Sequence, residues 1–201
     1  SVQVDAVADT PELTVSSSVT GDEDSPIALN ISGSLLDSDR SETLEFRISG
    51  VPNGATLSAG TDLGGGTWQL SPAELTGLSI TPPLNSDVDF QLTIHAIATE
   101  TTPTSTDTTI NTLAATTQAN ADVRVLAVAD TPLIIAPASI IAGEGVASAP
   151  FSVLANLTDI DGSESIKLTL NNIQRGATLS DGTNSITVTS GNATVDITHW
   201  N

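Results

Sequence analysis

The stretch DFQLTIHAIA, Asp89–Ala98, places Phe90, Leu92 and Ile94 at every second residue. A period of two marks a strand with one buried face, because successive side chains of an extended chain point to opposite sides. The same alternation recurs upstream, through Ile27, Leu29 and Ile31 in PIALNIS and through Leu44, Phe46 and Ile48 in LEFRIS. Turn signals separate these runs: Gly21-Asp22, Pro52-Asn53-Gly54, Gly64-Gly65-Gly66 and Pro82-Pro83. One helical signal interrupts them. In SPAE, Ser71, Pro72 and Glu74 suit the N-cap, first and third positions of a helix of a turn or two. The threonine-rich tract Thr99–Asn120 reads as two strand extensions meeting at a hairpin tip near TTPTSTD. About seven short strands with this turn spacing predict an all-β fold, a β-sandwich of immunoglobulin or cadherin type.

The pattern is then repeated. VQVDAVADTP ends at Pro11 and VRVLAVADTP at Pro132, an offset of 121. LDSDRSE and TDIDGSE have their first aspartates at Asp37 and Asp159, and GATLS begins at Gly54 and again at Gly176, both offsets of 122. Three landmarks in one order at near-constant spacing predict tandem modules of about 120 residues, an ordinary domain size. On this reading residues 1–11 end a preceding strand or linker, 12–131 form one complete module, and 132–201 form the N-terminal part of a second. The first residue falls in mid-pattern, the expectation for a segment of a longer chain.

The chain of 201 residues carries 24 Asp+Glu against five Lys+Arg, a formal charge of −19. That balance argues against nucleic acid and anionic membranes, which need basic patches. It suits a cation partner or plain solubility. Apolar residues make up 38%, enough to build a core, and no apolar run reaches membrane-spanning length. With no cysteine, thiol chemistry, disulfides and thiolate metal sites are excluded.

Strand direction decides where the acids go. In an up-and-down sandwich, strands from Leu13, Leu44, Leu78 and Val123 run one way, and those from Ile27, Trp68 and Phe90 the other. The turns GDEDSP and NSDVDF and the end of AVADTP then share the C-terminal pole of the first module, bringing Glu23, Asp24, Asp87 and Asp89 together with Asp130 of the linker. The loop DIDGSE, with Asp159, Asp161 and Glu164, falls at the N-terminal pole of the second module. Stacked end to end, the modules bring eight carboxylates to one junction. Asp9, Asp37, Asp39 and Glu42 form the corresponding N-terminal half-site of the first module. So many like charges need a counter-charge, and Arg124 and Lys167 are the nearest cations in sequence. Ca²⁺ fits best, since it takes six to eight oxygens in irregular cages. Mg²⁺ demands a strict octahedron, and zinc would have only His95 and His199 as nitrogen ligands. A lone D-x-D is more often a solvated turn; the convergence of several clusters on one pole favours metal.

The series GDEDSPIALNI, LLDSDRSETLEF, GVPNGATLSAG, NSDVDFQLTIHAIATE and VLAVADTP resembles the tandem extender repeats of giant bacterial RTX-type biofilm adhesins. The likeness covers the first module and the second as far as it runs. It implies secretion to the bacterial cell surface, Ca²⁺-rigidified linkers and a role in cell adhesion as a spacer, with neighbouring modules of the same chain as partners. The logic is also similar to that of cadherin ectodomains. The second module departs from the pattern. Its GEGV turn keeps only Glu144 of the Glu23-Asp24 pair. Trp200 matches Trp68 at an offset of 132, which predicts an extra hairpin in ITVTSGNATVDIT. No strands follow to complete it, so the module is expected to be truncated, split by an inserted domain, or completed by strand exchange.

Nothing points to an enzyme. The sequence has no G-x-S-x-G, and LGGGTW lacks the strand-to-helix context of a phosphate loop. His95 falls out of phase with the apolar face of its strand and points outward. Trp68 and Trp200 suit either a core or a sugar platform, so a split-module scaffold or carbohydrate-binding module is the alternative to a spacer.

Overall fold

The computed structural model describes residues 7–36, 41–101 and 113–200. The chain divides into two compact units, Ser1–Val128 and Ala129–Asn201. Both are built from strands, and among the described residues no helix is long and apolar enough to cross a membrane.

Unit 1 contains β1 (Glu12–Val15), β2 (Ser18–Asp22), β3 (Ile27–Ala28), β4 (Ile31–Ser34), β5 (Glu42–Ser49), β6 (Thr56–Leu57), β7 (Thr61–Gly64), β8 (Thr67–Leu70), β9 (Ser79–Thr81), β10 (Phe90–Glu100) and β11 (Ala114–Leu126). Six of them form one sheet in the order β2-β11-β10-β5-β8-β7. Facing it are the three-stranded sheet β3-β9-β6 and the pair β1-β4. The alternating runs supply the core between the layers. Leu92 and Ile94 of β10, Phe46 and Ile48 of β5, and Ile80 of β9 are fully buried in one cluster with Ile27, Leu29 and Ile31. This is a β-sandwich, as expected. Phe90 lies at the rim, half-buried against the same cluster.

Strand directions follow the expected alternation. β10 is antiparallel to β5 and β11, and β2 runs parallel to β11. The first strand, expected as one run from Leu13, divides: β1 pairs with β4, and β2 crosses to β11. Ser16 and Ser17 make the crossing, bonded to Asn30 and Asp122 respectively. The helical signal is a single 3-10 turn, Pro72–Leu75. Its cap is reciprocal in part, with the Ser71 N–H and Oγ–H both donating to Glu74 Oε2 at 2.7 Å. The tract after Thr99 does extend the β10–β11 pair, which reaches Thr99↔Ala114. The hairpin tip expected within it lies outside the described residues.

Unit 2 contains β12 (Leu133–Ile135), β13 (Leu154–Asn156), β14 (Thr169–Ile173), β15 (Thr178–Ser180), β16 (Ser185–Thr187) and β17 (Ala193–Asp196), in three antiparallel pairs: β12-β13, β14-β17 and β15-β16. Two of these repeat unit 1. Leu133↔Asn156 matches Glu12↔Ser34, and Leu170↔Val195 matches Ile48↔Trp68. The register corrects one expectation. Val195, not Trp200, stands where Trp68 does. The two strands of ITVTSGNATVDIT do not pair with each other: β16 joins β15, and β17 joins β14.

Candidate metal centre

The acidic loop of unit 2 is shaped by its own side chains. Asp159 Oδ1 accepts the Asp161 N–H at 2.9 Å, and Asp161 Oδ1 accepts the Ser163 N–H at 2.8 Å. Two successive Asx turns are what D-x-D-x-S spacing encodes, each aspartate holding the amide two residues on. Gly162 takes φ +102°, a conformation closed to most side chains. Glu164 closes the loop onto the segment before β12: its Oε1 accepts the Asp130 N–H, and Thr158 Oγ1 donates to Thr131 O at 3.2 Å.

At Asp159 and Glu164 these bonds use one carboxylate oxygen and leave the other. Asp159 is only 2% exposed, and its Oδ2 is buried without a hydrogen-bond partner. Glu164 Oε2 is likewise buried and unmatched. An ionised oxygen removed from water without a donor or cation is costly. Lys167, one of the two cations nearest in sequence, is directed at Asp196 instead, at 3.7 Å. The donor set is hard oxygen only, which fits a cation of the Ca²⁺ class rather than a soft metal.

Unit 1 repeats this arrangement at its N-terminal pole. The Asp9 N–H donates to Glu42 Oε1, as that of Asp130 does to Glu164, and Glu42 Oε2 is again buried without a partner. Asp37 and Asp39, the remaining residues named for this half-site, lie outside the described residues. A further acid joins it. Glu100 is directly opposite Glu42 across the β5–β10 ladder and is only 5% exposed; its Oε2 accepts from Ser41 Oγ at 3.0 Å. The signal for Glu100 was present in the sequence, since it continues the inward phase of Leu92 and Ile94.

At the other pole of unit 1, two of the four acids expected there, Glu23 and Asp89, bond the outgoing chain. Glu23, 3% exposed, donates its N–H to Leu126 O at 2.9 Å and accepts the Val128 N–H on Oε1 at 2.7 Å. Asp89 Oδ1 accepts the Val125 N–H at 2.8 Å. Asp24, in the left-handed region at φ 54°, accepts the Asn85 N–H at 2.8 Å. Asp87 is half-buried in the same turn before β10. The 11 residues from Phe90 to Glu100 separate this pole from the Glu42 pole by roughly 33 Å at the usual strand rise.

Of the remaining candidates, Glu144 is exposed in its turn, His95 is half-buried and out of phase with the core, and His199 is exposed. Trp68 packs against the core cluster of unit 1 and lines a cleft of about 360 Å³ with Asp62, Asn53, Gly65 and Gly66. No protein-family model matches the chain, and no curated protein matches it at a significant level.

Proposed function

We propose that this chain is an extender segment of a secreted bacterial adhesin, in which Ca²⁺ stiffens the connection between successive β-sandwich modules. In this reading the ions are shared by Glu23, Asp24, Asp87 and Asp89 of one module, Asp130 of the connection, and Asp159, Asp161 and Glu164 of the next. The supporting observation is the recurrent bond from Asp9 to Glu42 and from Asp130 to Glu164, each leaving a buried glutamate oxygen without a donor. Asp159 Oδ2 adds a third such oxygen. A divalent cation satisfies these oxygens and offsets the repulsion that accumulates at −19. The resemblance to adhesin repeats supplies the cellular setting.

The function is then mechanical and rests on linkage. An ion that binds only the ordered loops stabilises them by RT ln(1 + [Ca²⁺]/Kd), about 2.7 kcal/mol at a hundredfold excess over Kd. Calorimetric melts and small-angle scattering in millimolar Ca²⁺ and in excess EDTA test this. The expected result is a higher melting temperature and a longer, stiffer particle with Ca²⁺. Superimposable melts and scattering curves would sink the reading. Carbohydrate binding is a second reading, favoured by the Trp68 cleft with its carboxylate and amide. A Trp68 fluorescence titration with neutral sugars decides it, and a flat response removes it.

A further inference from the structure

Unit 2 leaves open an apolar face that unit 1 seals. Leu29 is 4% exposed and its repeat counterpart Phe151 is 40% exposed. Leu13 packs into the core cluster of unit 1, whereas its counterpart Ile134 is 59% exposed. Ile48 is fully buried and its counterpart Leu170 only half so. The edge pairing differs in the same way. β5 carries β8 on one edge and β10 on the other, while β14 carries β17 and, among the described residues, nothing on its second edge.

We propose that unit 2 is an acceptor for a two-stranded β-hairpin patterned like β10 and β11, supplied by another polypeptide segment of this repeat type. The repeat itself names the occupant. In unit 1 the second edge of β5 is paired by β10 in register Ile48↔Ile94 and Phe46↔Ala96, and β10 closes the layer with the fully buried Leu92 and Ile94. Leu170 and Leu168 are the counterparts of Ile48 and Phe46. They offer the same two-residue spacing, on a strand whose edge away from β17 pairs with no other strand among the described residues. An open strand edge takes another strand in preference to other partners, because main-chain pairing satisfies both strands at once. A second copy of this chain is a poor donor. Its β10 is already paired to β5 and β11, and its β11 to β10 and β2, so donation would dismantle unit 1. The inference does not depend on bound Ca²⁺ and survives failure of the spacer reading.

The test uses the full chain extended after Asn201 by a Gly-Ser linker and a copy of residues 87–128, read by amide hydrogen exchange and size-exclusion light scattering in EDTA. The expected result is exchange slowed at least tenfold across residues 168–173 in a monomer, with residues 42–49 unchanged. Leu92→Asp with Ile94→Asp, made in the appended copy alone, should return exchange at 168–173 to that of the unextended chain. Three results would overturn the proposal: no slowing on extension, equal slowing by the aspartate variant, or an unextended chain that is already dimeric and protected at 168–173.

Discussion

Asp159→Asn separates a cation ligand from a merely structural carboxylate, because the two roles predict different dependence on Ca²⁺. The substitution preserves the shape of the side chain and keeps an oxygen to accept the Asp161 N–H, the 2.9 Å bond that forms the first Asx turn. The change is therefore confined to the buried Oδ2, which has no donor. With Ca²⁺ bound, removing one charged partner of a buried, paired group costs about 3–5 kcal/mol. In EDTA that partner is absent, and the wild type bears the cost of an unmatched buried anion. Neutralising it should then be neutral or stabilising by up to about 2 kcal/mol. For a unit of 73 residues, Ala129–Asn201, each kcal/mol moves Tm by roughly 4–8 °C. Differential scanning calorimetry should show the variant melting more than about 10 °C below wild type in millimolar Ca²⁺, and level with or above it in EDTA. An equal drop in both buffers would refute the reasoning, since it would mean that the carboxylate serves only the loop.

Other expectations follow from the fold. Phe46→Ala empties the centre of the unit 1 core and should cost about 3–5 kcal/mol in urea unfolding, with or without Ca²⁺. Leu170→Ala, at the half-buried counterpart of Ile48, should cost distinctly less; equal losses would contradict the difference in burial. The pH response of Glu74 has a definite sign. Hydrogen bonds from the Ser71 backbone and hydroxyl hold its carboxyl below the ordinary 4.5. The capping contribution is therefore complete above about pH 4.5 and lost as pH falls through the lower folded value. A side-chain NMR titration should place the midpoint below that of Glu74 in the unfolded chain. Asp196, lowered by bonds from the Thr198 hydroxyl and N–H and by Lys167, should shift the same way.

The core of unit 1 was legible because alternation reports burial directly. Leu92, Ile94, Phe46 and Ile48 needed only the period to be placed, and the division of the first strand at Ser16-Ser17 escaped because three serines in a row carry no phase. The repeat made the acidic loops legible in pairs, which is why the Asp9–Glu42 and Asp130–Glu164 bonds recur. Glu100 was missed because an acid ending an apolar run reads as the solvent end of a strand, yet its phase points inward. Trp200 was matched to Trp68 by residue identity, whereas strand register assigns that position to Val195. Nothing in the sequence distinguishes the two oxygens of a carboxylate, so which one remains without a donor required coordinates.

Direct titration of the full chain with Ca²⁺, by isothermal calorimetry after exhaustive chelation, bears most closely on the role given to these loops. Saturable uptake is expected in wild type, reduced at least tenfold in affinity by Glu164→Gln at one loop and Glu42→Gln at its repeat counterpart. Absence of any uptake up to millimolar Ca²⁺, or uptake indifferent to both substitutions, would leave the buried glutamate oxygens without the cation that explains them.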